Sequence, residues 1–395
     1  MYLILRIVFE NNKGYIKRII DAVAQETGCD VKAVQCAGEI VIQAAEEDPQ
    51  LEHFLKRLEE RLPASIYLKK STHTLAEALP ELTPITSDDL PLDLSLCPTC
   101  QKEMFDVSSR RYYYPFTSCN SCGSRHAFVE HYPFSRQNSL MKFMKPCAAC
   151  EEEMRSNPLR KDYPLISCIE CGIALRMVDK KSERYANDKG TYRTLFEVAA
   201  RAIAKGKTVV MKTLHGYRKF YKPASLAVPE AILFVADVNA LNRHLMMVVQ
   251  EFNALLSIER PLLRIATKSD EAKNLFGSSV WTKYPDDGMS MLLAKELITA
   301  GEEYIVYEAC DEETQADFRI DFDLPVTAQR DFRLFINQDT TLLIEGERSI
   351  FPRKVDKGKS GRVTVASGLV CVDMEEGKII DRPDYFAKIP AREVL

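Results

Sequence analysis

A chain of 395 residues, 46% hydrophobic and 28% charged, is long enough for two or three domains with real cores. Its net charge of −4 and its lack of an apolar run of about 18 residues argue against a membrane span and a broadly basic nucleic-acid surface. The N-terminus, MYLILRIVFENNKGY, has neither a basic leader nor a small-residue cleavage site, so a signal peptide is not expected.

Residues 1–78 read as a small βαββαβ domain. MYLILRIVF has the alternation and aliphatic content of a strand. Tyr15 to Thr27 carries apolar residues at 16, 19, 20, 23 and 24, the spacing of one helical face, and Gly28 stands where such a helix ends. Lys32–Ala45 holds two apolar runs around Ala37-Gly38, the pattern of a hairpin. Asp48-Pro49 opens a second helix, with Leu51, Phe54, Leu55, Leu58 and Leu62 as its apolar stripe, and Ser65–Lys70 supplies the last strand. Residues 79–96, with Pro80, Pro84 and Pro91 among acidic residues, read as a linker.

Four CxxC pairs follow: Cys97/Cys100, Cys119/Cys122, Cys147/Cys150 and Cys168/Cys171, with gaps of 18, 24 and 17 residues. Two C-x2-C units about 15–20 residues apart make a tetrahedral four-thiolate zinc site, and here that layout occurs twice. Residues 97–173 are therefore expected as tandem four-cysteine zinc fingers holding two structural Zn²⁺. Four thiolates leave no open coordination position for catalysis. Without an export signal the array points to a reducing cytoplasm. An internal repeat, Arg111-Tyr-Tyr-Tyr-Pro-Phe-Thr-Ser-Cys119 against Lys161-Asp-Tyr-Pro-Leu-Ile-Ser-Cys168, pairs Cys97, Cys100, Cys119 and Cys122 as one site. Cys147, Cys150, Cys168 and Cys171 form the other, with crossed pairing as the alternative. Each copy ends in CxxCG, where glycine suits a positive-φ knuckle.

Residues 97–171 hold ten Lys/Arg against eight Asp/Glu, and two zinc–thiolate sites turn that balance slightly acidic. Nucleic acid is thus not an expected partner, and Tyr112–Tyr114 read as packing rather than as a base-stacking platform. Cys29, Cys36, Cys310 and Cys371 lack a neighbouring base and read as buried thiols. His126, His131, His215 and His244 read as surface or packing residues.

Residues 174–192 are polar and read as a second linker. Residues 193–390 then form a mixed α/β domain. Thr194-Leu-Phe-Glu197 is a capping box opening a helix that Gly206 closes. Thr208–Leu214 and Ala231–Val238 are candidate strands, Met289–Ala300 a helix ending at Gly301, and Tyr304–Ala309 a buried strand. Short strands and turns, including Asp356–Gly361, run on to about residue 385.

The order and spacing of these segments resemble the N-terminal part of the hydrogenase maturation protein HypF family. The resemblance is strongest at Cys97-Pro-Thr-Cys100, Arg111-Tyr-Tyr-Tyr-Pro-Phe-Thr-Ser-Cys119-Asn-Ser-Cys122-Gly123 and Pro146-Cys147-Ala-Ala-Cys150. It implies a multidomain α+β and α/β architecture: a ferredoxin-like acylphosphatase-like domain, tandem zinc ribbons and a diverged YrdC-like domain. The family uses carbamoyl phosphate and ATP to make a carbamoyl-adenylate, and passes the carbamoyl group to the terminal cysteine of a partner.

Several positions depart from that pattern. Where the family's acylphosphatase loop resembles VQGVGFR, this chain reads Val8-Phe-Glu-Asn-Asn-Lys-Gly-Tyr-Ile-Lys17, with Gln35 near the asparagine position. Glu10 would repel a phosphate and Lys17 lacks the bidentate fork of arginine, so acylphosphatase activity is not expected. Thr208-Val-Val-Met-Lys212-Thr-Leu-His-Gly-Tyr217 resembles the family's IVAIKGLGGF with glycines replaced by Thr213 and His215. The family's KxR…KPF phosphate motif finds only Arg243 and His244 within Phe234–Val249, and acidic residues stand in Tyr307–Asp311. Lys212 and Arg243 are thus the candidate nucleotide-phosphate contacts, with Arg330 or Arg353 as further lining. By residue 395 nothing corresponds to the family's carbamoyltransferase domain, so the complete reaction is not expected of this polypeptide alone.

Taken together, the leading expectation is an accessory or binding protein of hydrogenase maturation with degraded catalytic sites and maturation proteins as partners. The first alternative is an enzyme that forms carbamoyl-adenylate from ATP and carbamoyl phosphate, acting with a separate transferase chain. The second is a YrdC-like RNA-binding module.

Overall fold

The structure is a computed structural model that describes residues 1–11, 14–85, 93–125, 127–129, 133–223 and 231–324, and beyond these the backbone of strands between 332 and 381. Arg330, Arg353, His126, His131, the Cys371 side chain and all but Gly361 of the turn expected at 356–361 lie outside the described residues.

The alternating N-terminal run forms β1 (Tyr2–Phe9), and the apolar stripe that follows forms α1 (Tyr15–Thr27), ended by Gly28 at φ 69°. The hairpin β2 (Val31–Cys36) and β3 (Glu39–Ala45) turns at Gly38, whose φ of 81° only glycine adopts freely. After it come α2 (Leu51–Arg61) and β4 (Leu68–Ala76). The sheet order β2-β3-β1-β4, antiparallel throughout, is the expected ferredoxin-like arrangement. Ile16, Ile19, Ile20 and Val23 of α1 and Phe54 and Leu58 of α2 fill its core. β4 continues six residues past the expected Lys70, pairing Ser71–Ala76 with Tyr2–Ile7. Its side chains are mostly exposed, so no apolar alternation marks its length.

Helices α3 (Pro98–Phe105) and α4 (Ala148–Ser156) each begin at the first cysteine of a CxxC pair. Residues 174–192, expected as a linker, instead carry the hairpin β5 (Leu175–Asp179) and β6 (Glu183–Ala186) at the edge of a larger sheet. An edge hairpin keeps much of its surface in water, so its composition reads as linker-like. The next helix, α5 (Lys189–Ala204), starts five residues before Thr194, because Asp188 accepts the Thr191 N–H at 2.9 Å in a capping box.

The chain continues through β7 (Val209–Thr213), β8 (Gly216–Tyr221), β9 (Ile232–Val235), α6 (Leu241–His244), β10 (Leu245–Met246), α7 (Val249–Leu256), β11 (Leu262–Thr267), α8 (Asp270–Phe276), β12 (Ser279–Lys283), α9 (Gly288–Thr299), β13 (Tyr304–Cys310) and β14 (Phe318–Asp321). With β15 (Phe332–Asn337) and β16 (Thr340–Glu345), the described strands run in the order β16-β15-β11-β12-β9-β13-β8-β7-β14-β5-β6. The pairs β11–β15, β12–β9 and β14–β7 are parallel and the others antiparallel, so the sheet is mixed. α5 and α9 pack together and bury Leu195, Phe196, Ala199, Ile203, Leu292, Leu293 and Leu297. A separate antiparallel sheet joins β17 (Gly361–Val365), β18 (Val370–Glu375) and β19 (Lys378–Asp381).

Buried polar contacts join the parts. Glu259 accepts hydrogen bonds from Tyr15 Oη (2.7 Å), Ser65 Oγ (2.6 Å) and Ile66 N (3.0 Å), tying the small sheet to the large one. The end of the expected 79–96 linker is buried: Ser95 N donates to Ile258 O and Leu94 N to Gly123 O.

Candidate metal centre

Each four-cysteine cluster is built from a helix start and a tight knuckle. Cys97 and Cys147 occupy the N-cap positions of α3 and α4, which places Cys100 and Cys150 within the first turn. The Sγ atoms of Cys97, Cys100, Cys119 and Cys122 lie within 4.8 Å of one another, and so do those of Cys147, Cys150, Cys168 and Cys171. This is the repeat-based grouping; the crossed one is not what the fold brings together. Individual sulfur separations are 3.9 Å (Cys97–Cys119), 3.6 Å (Cys119–Cys122), 3.7 Å (Cys147–Cys168), 3.8 Å (Cys168–Cys171) and 3.5 Å (Cys150–Cys171). A tetrahedron with Zn–S bonds of about 2.3 Å has edges of about 3.8 Å, so the residues fit the ion. Within each cluster one sulfur, Cys119 or Cys168, is held far below the ordinary thiol range, first by hydrogen bonds from Cys100 and Cys150 respectively. Such crowded sulfur is the donor set a divalent cation stabilises as thiolate.

The two knuckle glycines serve different needs. Gly123 has φ 106°, the positive value expected. Gly172 does not; it is small because a Cβ there would fall 1.8 Å from Tyr114 Oη.

Between the clusters lies a pair of arginines and a pair of glutamates. Arg111, only 1% exposed, donates to Glu103 Oε1 (2.8 Å), Glu153 Oε2 (2.9 Å) and Ser167 O (2.7 Å). Arg160 donates to the same two carboxylates and to Ser118 O (3.1 Å). Burial by itself would raise both carboxyls; Arg160 and Arg111 instead hold Glu103 below its usual range, and Arg111, with Arg160 and Arg110, brings Glu153 down to about 2. The sequence reading missed Arg160, Glu103 and Glu153. The signal was present, since an offset of 49 residues sets Arg160 under Arg111 and an offset of 50 sets Glu153 under Glu103.

Tyr113 and Tyr114 are buried, with Tyr113 Oη on Glu296 and Tyr114 Oη on Ser167 Oγ (3.0 Å), as packing residues are. Cys29 is buried and its thiol is pushed up to about 11, first by burial; Cys36 and Cys310 are half-buried.

The expected phosphate contacts are not brought together. Lys212 lies on β7, where Nζ donates to Phe322 O (3.1 Å) and Leu324 O (2.7 Å) and sits over the Tyr217 and Phe322 rings. Arg243, on α6 after a strand three places away, is exposed and pairs with Glu303, as does His244 at 3.0 Å. Lys17 is engaged by Asp21 at 2.6 Å, and Gln35 is buried, donating to Asn11 O.

Beside the β7–β8 turn the interior holds a compact ion cluster. Arg218 forks onto Asp286 with two 2.7 Å bonds, and Lys283 Nζ lies 3.3 Å from the same carboxylate. His215 Nε2 meets Ser124 Oγ at 3.0 Å, and its Nδ1 lies 3.7 Å from Asp93. The cavity where this turn meets the first finger, lined by Leu94, Phe116, Ser124, Leu214 and Asp287, measures only about 10 Å³, room for one water at most.

Fold and site together define a multidomain α/β protein with a ferredoxin-like sheet, two four-cysteine fingers and a large mixed sheet. Residues 96–129 match the HypF finger family. The chain is 30% identical over 147 residues to the protein named Probable carbamoyltransferase HypF of Methanocaldococcus jannaschii, covering 34% of this chain and 17% of that protein. It is 47% identical over 58 residues to carbamoyltransferase HypF of Synechocystis, covering 15% and 7%. The crystal structure of T. kodakarensis HypF has the same fold, with a TM-score of 0.68 at 18% identity over 96% of this chain and 54% of that one. A full-length HypF in its phosphate- and nucleotide-bound form gives 0.57 at 19% identity over 87% and 50%. The chain thus spans about half the length of those solved proteins. The finger match, the relatives and the fold support a HypF-family N-terminal portion, and the finger match with the two clusters supports two structural zinc ions.

Proposed function

We propose that this chain is an accessory or binding protein of nickel–iron hydrogenase maturation, working in the cytoplasm with other maturation proteins and no longer equipped for carbamoyl-adenylate chemistry. Its likeness to carbamoyltransferase HypF proteins supports the maturation setting. In this reading Cys97, Cys100, Cys119 and Cys122 ligate one zinc ion and Cys147, Cys150, Cys168 and Cys171 the other, both structural. Among the described residues, no helix is long and apolar enough to cross a membrane.

The observation that carries the loss of catalysis is Lys212. Its ammonium, which would have to face a phosphate, is committed to two backbone carbonyls, and half-burial lowers its pKa. Arg243 and Lys17 are likewise committed to carboxylates, and Arg218 and Lys283 are both paired with Asp286. The test is incubation of the chain with ATP and carbamoyl phosphate while following pyrophosphate and AMP. No release above background, and no calorimetric ATP binding at millimolar nucleotide, is expected. Robust turnover would overturn the accessory reading in favour of an adenylate-forming enzyme that works with a separate transferase chain.

A further inference from the structure

We infer that the two zinc fingers are one cooperative metal unit, in which each finger's coordination shell is held by the other finger's arginine, so that the two ions bind and leave together. Arg111 and Arg160 are the positioning residues.

The contacts cross reciprocally. Arg111 belongs to the first repeat, yet its guanidinium donates to Ser167 O, the carbonyl just before Cys168, and approaches Cys150 Sγ at 3.7 Å. Arg160 belongs to the second repeat and donates to Ser118 O, just before Cys119, and approaches Cys100 Sγ at 3.8 Å. The tyrosines repeat the exchange: Tyr114 Oη donates to Ser167 Oγ at 3.0 Å, and Tyr163 Oη to Ser118 Oγ at 2.8 Å. Each tyrosine hydroxyl also closes on the other finger's knuckle glycine, Tyr114 on Gly172 and Tyr163 on Gly123. The same symmetry extends to the backbone, where Tyr113 (φ 57°) and Asp162 (φ 54°) take the left-handed conformation at equivalent repeat positions.

The consequence is energetic. Donors to ligating sulfur and to the peptides that carry it orient the ligands and tune the metal. Here those donors come from the other finger. Their charges are balanced only while Glu103 of α3 and Glu153 of α4 both face them, since each carboxylate binds both arginines. Release of one ion frees the knuckle that Ser118 or Ser167 anchors and strips the opposite arginine of its acceptor. A buried guanidinium that loses one of its acceptors is left with an unmet N–H, and that cost falls on the finger still holding metal. The two sites are thereby coupled in free energy, and the coupling is reciprocal.

Native mass spectrometry of the intact chain during a stepwise EDTA titration tests this. For a coupling of about 100-fold, the one-zinc species stays below about a tenth of the population at half-loading, with two-zinc and zinc-free species dominating. A one-zinc species near half of the population, the value for independent sites, would overturn the inference. A second arm uses R111K/R160K, which keeps both charges and loses both forks. The one-zinc share should then climb towards half while the two-zinc form still assembles. A merely structural role would lower total loading and leave the one-zinc share small, which also counts against the inference. If that variant does not fold, the wild-type distribution decides.

Discussion

At the scale of single residues, His215 shows how burial sets the charge of a titratable group. Its imidazole is fully buried against Ser124, Asp93 and Asp286, at the position where the family segment that Thr208–Tyr217 resembles carries glycine. Burial lowers its pKa despite the attraction of Asp286 and Asp93, so the folded protein holds it neutral. The unfolded chain protonates it first, near pH 6.5. Stability is therefore complete above about pH 6.5 and is lost as pH falls towards the lower folded value, by up to about 1.4 kcal/mol per pH unit. Urea unfolding at about pH 7.5 and about pH 5.5 should show a larger loss for wild type than for His215→Gln; equal losses would contradict the assignment. Gly172 is the other informative residue. Gly172→Ala would drive a methyl into the buried Tyr114 hydroxyl and should cost at least about 2 kcal/mol in the same assay, with weaker zinc retention. Its need for glycine comes from a tyrosine 58 residues away in the chain, so a knuckle motif alone assigns it the wrong reason.

At the scale of elements, the helices were legible where local chemistry starts and stops them. The stripe of α1 and its closing Gly28 follow from a repeat of 3.6 and a left-handed cap. α5 was misplaced by five residues because two acceptors compete, and Asp188 with Thr191 closes a box ahead of Thr194. In α9 the cap is tertiary as well as local: Asp287 accepts the Ser290 N–H at 2.8 Å and the Leu214 N–H of the β7–β8 turn at 2.8 Å. Asp287→Ala should therefore cost about 2–3 kcal/mol, more than an exposed cap, because a buried N–H loses its acceptor too. Amide exchange at Leu214 should accelerate along with the first turn of α9; acceleration confined to α9 would rule out the cross-link.

At the scale of the whole molecule, the small sheet, the fingers and the large sheet share one continuous buried core. Glu259 is the principal polar tie between the two sheets, accepting three hydrogen bonds from the segment around Ser65 and from α1. Glu259→Ala should cost about 2–4 kcal/mol, since it removes the charged acceptor that Tyr15 Oη, Ser65 Oγ and Ile66 N share. Limited proteolysis should then cut more readily between residues 62 and 96, with the fingers and large sheet still protected. Unchanged cleavage would mean that apolar packing alone holds the small sheet. The division at 174–192 also belongs to this scale. A polar stretch between two apolar-patterned regions reads as a linker, yet Arg176 reaches Asp321 at 2.8 Å and draws the hairpin onto the edge of the sheet.

What the sequence determined by itself was whatever depends on near neighbours: the spacing of eight cysteines, the pairing implied by their repeat, and the periodicity of the N-terminal helices and strands. A zinc finger is specified by ligand type and interval, both written along the chain. Only the tertiary structure decided how the charged residues are used. Nothing adjacent to Lys212, Arg218 or Arg160 in the sequence names the acceptor each will meet, although the repeat sets Arg160 under Arg111. In the fold Lys212 is tied to two carbonyls, Arg218 is forked onto Asp286, and Arg160 braces the opposite finger. A cation's role is set by which acceptor the fold brings within about 3 Å. For these three, the acceptors lie roughly 40 to 110 residues away, beyond any local pattern.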